Sequence, residues 1–120
     1  MGSVLIIDDE QAVRGMLDTA LRLSGFQVTT AADGREGLEK FFQGRFDLVV
    51  TDVCLPDADG REVLDRIRTS DRGQTPVIGV SGTPWLLERS GFDRVLAKPF
   101  RLQRLLESVF ALLPSTAAAH

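Results

Sequence analysis

Five short apolar runs, each followed by a stretch of different periodicity, constrain this chain more than any other feature. The runs are VLII (Val4–Ile7), QVTTA (Gln27–Ala31), DLVVT (Asp47–Thr51), PVIGV (Pro76–Val80) and RVLA (Arg94–Ala97). Near-continuous Val, Ile and Leu predicts strands covered on both faces, as in a parallel sheet. QVTTA is more polar and suits an edge. Between the runs the apolar spacing turns helical. Val13, Met16, Leu17, Ala20 and Leu21 share one face, with Gly25 as a stop signal. Leu38, Phe41 and Phe42 follow Ala32-Asp33-Gly34 and end at Gly44, and Val63, Leu64 and Ile67 follow Asp57-Ala58-Asp59-Gly60. Leu102, Leu105, Leu106, Val109 and Leu113 follow Lys98-Pro99-Phe100. Strand and helix in alternation predict a doubly wound α/β fold with right-handed crossovers and helices on both faces. One unit departs from this. GTPWLLERSGFD has room for two helical turns at most between Pro84 and Gly91, so the fourth helix is expected to be short or irregular.

The ends of those runs carry the chemistry. In a doubly wound sheet, ligands bind at the carboxyl ends of the strands. There the first run supplies Asp8 and Asp9, the third Asp52, the fourth Ser81 and the fifth Lys98. Any one of these could be a strand end meeting solvent; all five on one edge form a constellation. Three carboxylates held close together cannot all stay ionised without a counter-charge. Mg²⁺ suits them, because it takes one or two carboxylates and keeps waters and phosphate oxygens. Together with Lys98 it balances the three acids. A carboxylate so placed, beside a lysine and a hydroxyl, is poised to attack a phosphoryl group. Asp52 would be the nucleophile, Lys98 and Mg²⁺ would neutralise the equatorial oxygens, and Ser81 would bond the transferred group.

Size and charge narrow the class. The chain has 120 residues, 43% hydrophobic and 26% charged, which suits one globular domain. That domain is expected over residues 1–114, with 115–120 as a tail, linker or tag remnant and His120 outside the chemistry. The net charge of −3 disfavours direct nucleic-acid binding. No apolar run reaches the roughly 18 residues of a membrane span, and the start does not read as a signal peptide. Cys54 is the single cysteine, so no internal disulfide is possible, which fits a reducing, cytoplasmic setting.

At these residues the sequence resembles the receiver domain of bacterial two-component response regulators. The resemblance runs from Ser3 to about Leu113. It rests on DDE at Asp8–Glu10, LVVTDVCLPDADG at Leu48–Gly60, VSG at Val80–Gly82 and KPF at Lys98–Phe100, in this order and spacing. It implies a flavodoxin-like sheet of strand order 2-1-3-4-5. It implies that Asp52 accepts phosphate from a histidine kinase or phosphotransfer protein. It further implies that Asp9, Asp52 and the backbone carbonyl of Cys54 ligate Mg²⁺ while Asp8 acts largely through water. Ser81 becomes the switch hydroxyl, Lys98 the phosphate-binding cation, and the Lys98–Pro99 bond is expected to be cis. Pro56 and Gly60 match the turn after the phosphorylated strand, where Gly60 is expected to supply left-handed backbone freedom.

The sequence also departs from that pattern. The aromatic residue usual three positions before the lysine is Val95 here, and Phe92 or Trp85 would have to substitute for it or else simply cover the core. Lys98 follows Ser81 by 17 positions, fewer than usual, and the shortfall falls on the fourth helix. This resembles receivers with a degenerate fourth helix, which stand alone or are attached to sensor kinases, and it puts the usual dimer in doubt in favour of a monomer or weak homodimer. Cys54 and Thr83, two residues beyond Asp52 and Ser81, are small and uncharged and should not position water. Phe110 and Leu112 either form a partner surface or cover the last helix. The leading expectation is a signalling switch that catalyses only its own phosphorylation and dephosphorylation and passes its state to an output domain or partner. The alternatives are an adapter that never cycles phosphate, and a phosphohydrolase, for which no separate acid/base is offered.

Overall fold

The computed structural model describes residues 2–87 and 91–113. The elements run β1 (Ser3–Ile7), α1 (Gln11–Leu23), β2 (Gln27–Ala31), α2 (Gly34–Gln43), β3 (Leu48–Asp52), α3 (Gly60–Arg68), β4 (Val77–Ser81), a 3₁₀ turn (Pro84–Leu87), β5 (Arg94–Ala97) and α4 (Leu102–Leu112). The strands form one parallel sheet in the order β2-β1-β3-β4-β5, as expected. Where a fourth helix would stand between β4 and β5 there is the single 3₁₀ turn, and residues 88–90 of that connection lie outside the described residues. The expected tail at 115–120 lies outside them too.

The two-residue period of a strand explains why the runs are almost wholly apolar. Val4 and Ile6 point to one side with Val50, Ile78 and Val80, and meet Leu17, Leu21, Leu105 and Val109 of α1 and α4. Leu5 and Ile7 point to the other with Val49 and Val77, and meet Phe41, Val63, Leu64 and Ile67 of α2 and α3. Every residue of β3 and β4 is buried, whereas the outer strands β2 and β5 include exposed residues. Burying each such Val, Leu or Ile contributes about 1.5–3 kcal/mol, so both layers are strongly held to the sheet. Phe110 and Leu112 belong to the first layer, where the Phe110 ring lies 5.7 Å from that of Phe26.

Local signals set the helix ends. Ser24 closes α1 and Gly25 follows at φ 97°, a conformation glycine adopts at little cost. Asp33 caps α2 by accepting from Glu36 N at 2.8 Å, and Glu36 reaches back to Ala32 N at 2.6 Å. Asp57, from the loop after β3, caps the same helix across space, accepting from Gly34 N at 2.8 Å and Arg35 N at 2.9 Å. At the amino ends of the strands Arg68 acts as a knot. It donates to the carbonyls of Gly73, Thr75 and Gly91 and to Asp93 Oδ2, which also accepts from Val77 N. Arg72 similarly donates to the carbonyls of Phe41 and Gly44.

Candidate functional site

The carboxyl edge of the sheet collects the acids. Backbone pairing runs one residue further along β3 and β4 than the apolar runs do. Asp52 pairs with Val80 in register, and Ser81 with Ala97. Both side chains are thus fixed on strands rather than on loops, with Asp52 only 3% and Ser81 6% exposed. Asp8 follows β1 and is held to the sheet by its own N–H, which donates to Ala31 O at 3.1 Å. Carboxylate oxygens of Asp8, Glu10 and Asp52 lie within 4.8 Å of one another.

Lys98 enters from the end of β5. Its backbone N–H donates to Ser81 O at 2.8 Å, and its Nζ donates to Asp52 Oδ2 at 2.5 Å and lies 3.7 Å from Glu10 Oε1. The Lys98–Pro99 bond is cis. Partial burial pulls the Lys98 ammonium down, but the bond to Asp52 and the charges of Asp52, Asp8 and Glu10 outweigh it and leave its pKa above the ordinary 10.5. Burial pushes Asp8 above its ordinary 3.8, assisted by repulsion from Asp52 and Glu10 and opposed by the bond from Glu10 N and by Lys98. The other Asp52 oxygen, Oδ1, accepts from Cys54 N at 3.0 Å. Asp52 is therefore gripped on both sides, by an ammonium and by the backbone of its own loop.

That loop closes tightly. Gly60 N donates to Val53 O at 2.7 Å, and Asp59 caps α3 by accepting from Arg61 N. Gly60 does not adopt a positive φ; among the described residues only Gly25 and Gly91 do. The expectation of left-handed freedom is corrected: the position needs glycine because a Cβ there would sit 2.6 Å from Asp52 O and 2.7 Å from Val53 Cα. α3 starts in direct contact with the main chain of the central aspartate.

The residues expected from sequence are placed unevenly. Asp8, Asp52 and Lys98 converge. Ser81 lies on the adjacent strand, but its hydroxyl is engaged with its own loop, accepting from Thr83 N at 2.9 Å and lying 3.3 Å from Thr83 Oγ1. Asp9 is exposed and outside the carboxylate group, and the third corner is Glu10. Glu10 stood in the DDE stretch without a role assigned to it. Its signal was the backbone turn after β1, in which Glu10 N donates to Asp8 Oδ1 at 2.8 Å. Cys54 is exposed on the loop. Val95 is half-buried, Phe92 packs on Gly79 within the second core layer, and Trp85 is 65% exposed.

A buried aspartate at the carboxyl end of a central parallel strand, ringed by acids and one lysine, is the centre of the candidate site on this doubly wound sheet. The comparisons with known proteins give the family: the response regulator receiver domain matches residues 4–110, and the chain belongs to it. Its relatives include the transcriptional regulatory protein TrcR of Mycobacterium tuberculosis, 37% identical over 115 residues, 92% of this chain and 44% of that protein. The chain spans about half the length of the curated relatives it matches. Among solved structures, chemotaxis response regulator CheY4 of Vibrio cholerae superposes with a TM-score of 0.86 at 31% identity, covering 93% of this chain and 98% of that one. Response regulator TrrA of Thermotoga maritima, solved in complex with Mg²⁺–BeF, gives a TM-score of 0.84 at 32% identity, covering 93% and 99%.

Proposed function

We propose that this chain is a phosphorylatable switch in which Asp52 accepts a phosphoryl group from a phosphohistidine of a kinase or phosphotransfer protein. The observation that carries this reading is the setting of Asp52: a buried carboxylate with Lys98 Nζ at 2.5 Å and carboxylate oxygens of Asp8 and Glu10 within 4.8 Å. In the transfer, an Asp52 oxygen attacks phosphorus, the P–N bond breaks, and its electron pair returns to the imidazole, which takes a proton. Lys98 lies on the side where the equatorial oxygens gather charge, and it leaves a carboxylate that becomes a neutral acyl group for the phosphate it helped to draw in.

The donor set fits a hard divalent cation: oxygen atoms only, and more negative charge than Lys98 balances. Asp8, Glu10, Asp52 and the carbonyl of Cys54 would hold Mg²⁺, and Asp9 would join them if its exposed side chain turned inward. When bound, the ion supplies charge neutralisation and a template for phosphate oxygens. The relative TrrA, solved with Mg²⁺–BeF, supports this assignment. Ser81 would then exchange its bond from Thr83 N for one to the phosphoryl group, drawing the loop after β4 inward and biasing the connection to β5. The reactions it catalyses are its own phosphorylation and dephosphorylation. The reading also includes cytoplasmic operation and an output domain or separate partner downstream; no described helix is long and apolar enough to cross a membrane.

The test is intact mass after incubation with acetyl phosphate, with and without Mg²⁺, on wild type and Asp52→Asn. The expected result is a Mg²⁺-dependent gain of one phosphoryl group that Asp52→Asn abolishes. A gain that persists in Asp52→Asn overturns the assignment of the acceptor. Failure to label with both acetyl phosphate and a panel of phosphorylated histidine kinases would favour an adapter that acts by binding alone.

A further inference from the structure

The loop between β3 and α3 closes on itself. Gly60 N donates to Val53 O at 2.7 Å, Leu55 N donates to Ala58 O at 3.2 Å, and Cys54 and Asp59 form an antiparallel bridge. Leu55 is buried in the second core layer, while the tip, Pro56 and Asp57, is exposed. Among the described residues, the hydrogen bonds that tie 54–59 to an element other than β3 and α3 are the two that Asp57 accepts at the start of α2. Its Oδ1 takes Gly34 N at 2.8 Å and its Oδ2 takes Arg35 N at 2.9 Å. The two segments also lie against each other. Gly34 is buried, and a Cβ there would sit 3.0 Å from Ala58 Cβ and 3.3 Å from Asp57 Oδ1.

α2 does not need this carboxylate in order to begin. Asp33 already caps it by accepting from Glu36 N, and Glu36 reaches back to Ala32 N. A second acceptor, brought from 23 positions away to a helix that is capped locally, fixes where the loop tip sits. Three residues before Asp57 is Cys54, whose N–H bonds Asp52 Oδ1 and whose carbonyl belongs to the Mg²⁺ ligand set given under the proposed function. We propose that Asp57 is a positioning residue for that metal site. It latches the loop to α2, holds the Cys54 carbonyl in place, and so couples Mg²⁺ affinity to the order of the first turn of α2. The inference rests on the metal reading given above and adds to it a residue outside the ligand set. Coupling is reciprocal, so bound Mg²⁺ in turn holds the Gly34 and Arg35 amides more firmly on Asp57.

The test is a Mg²⁺ titration of the unphosphorylated chain, read by amide chemical shifts, together with native-state hydrogen exchange. Wild type should bind, with shifts centred on Asp52 to Cys54, and Asp57→Ala should raise the Kd about tenfold. Asp33→Ala removes the local cap of the same helix and should leave the Kd unchanged, which separates the latch from helix stability. Glu62→Gln removes an exposed carboxylate at the start of α3 and should also leave it unchanged. Asp57→Asn keeps an oxygen for Gly34 N and should recover most of the affinity, which separates the latch from the charge. In wild type, Mg²⁺ should slow exchange at Gly34 and Arg35 more than at Gly25, which closes α1 away from the site. Should Asp57→Ala unfold, that exchange pattern decides the matter. A wild type that binds no Mg²⁺ would overturn the metal reading and the latch with it. Binding by wild type with an unchanged Kd in Asp57→Ala would overturn the latch alone. So would an equal loss in Asp33→Ala, Glu62→Gln or Asp57→Asn, or the lack of selective slowing at Gly34 and Arg35.

Discussion

Replacing Asp8 by Asn should stabilise the metal-free protein, and the structure fixes both sign and scale. Asp8 is 3% exposed, and its carboxylate shares a volume with those of Asp52 and Glu10. At the 4.8 Å limit and an effective dielectric of about 20, each like-charged pair costs about 3.5 kcal/mol. Lys98 returns much of this, and solvent screens Glu10, whose side chain is 60% exposed. Asparagine keeps the oxygen that accepts from Glu10 N, so no hydrogen bond is lost. A net gain of about 1–2 kcal/mol follows, or a Tm rise of about 4–10 °C for a domain of this size. The pH dependence is specific. Because the Asp8 pKa is raised in the folded state, the folded protein binds the proton more readily than the unfolded chain. Wild-type stability from this group therefore increases as pH falls through the raised folded pKa toward the unfolded value, and the advantage of asparagine shrinks over the same window. Thermal melts in EDTA from neutral to mildly acidic pH, repeated with Mg²⁺, read both effects; Mg²⁺ should also narrow the gap by stabilising wild type. A less stable variant, or an advantage that does not change with pH, would refute the account of the acidic cluster.

Two further outcomes follow from contacts described above. Gly60→Ala should cost about 1–3 kcal/mol in urea unfolding and slow acetyl-phosphate labelling, because its Cβ must displace the Asp52 main chain; unchanged midpoint and rate would show that the loop gives way freely. Asp57→Ala should remove the second cap of α2 at a cost of about 1 kcal/mol. Bonds from Arg35 N and Gly34 N hold the Asp57 pKa below its ordinary value, so the wild-type contribution is present above the unfolded pKa and lost as pH falls through the folded one. A variant whose deficit persists undiminished in acid would contradict the capping role.

The sequence was most informative where a residue's surroundings are local. β2 and β5 have the bounds read from QVTTA and RVLA, and Asp33-Gly34 and Gly25 mark helix ends through contacts a few residues away. It was least informative where pairing comes from afar. Asp52 and Ser81 looked like the first polar residues after strands, yet the ladder with neighbouring strands carries both inside. Asp9 and Glu10 are chemically interchangeable to pattern reading, and only the turn after β1 decides which one faces Lys98, 88 positions on from Glu10 in the sequence. The need for glycine at position 60 was legible, but its cause was not, since the clash involves the Asp52 carbonyl rather than the backbone angle at Gly60 itself. The bond from Thr83 N that occupies Ser81 Oγ, and the cap that Asp57 gives to a helix 23 residues earlier, have no periodic signature at all.

The Arg68 knot gives the molecule a direction. One side chain gathers three carbonyls and the Asp93 carboxylate at the amino ends of the strands, so that pole has little room to rearrange. At the opposite pole, among the described residues, the cross-strand side-chain tie to the central aspartate runs through Lys98. Under the function proposed above, a change at Asp52 would be passed first to the segments that touch its carboxylate, through Lys98 on one oxygen and the Cys54 backbone on the other.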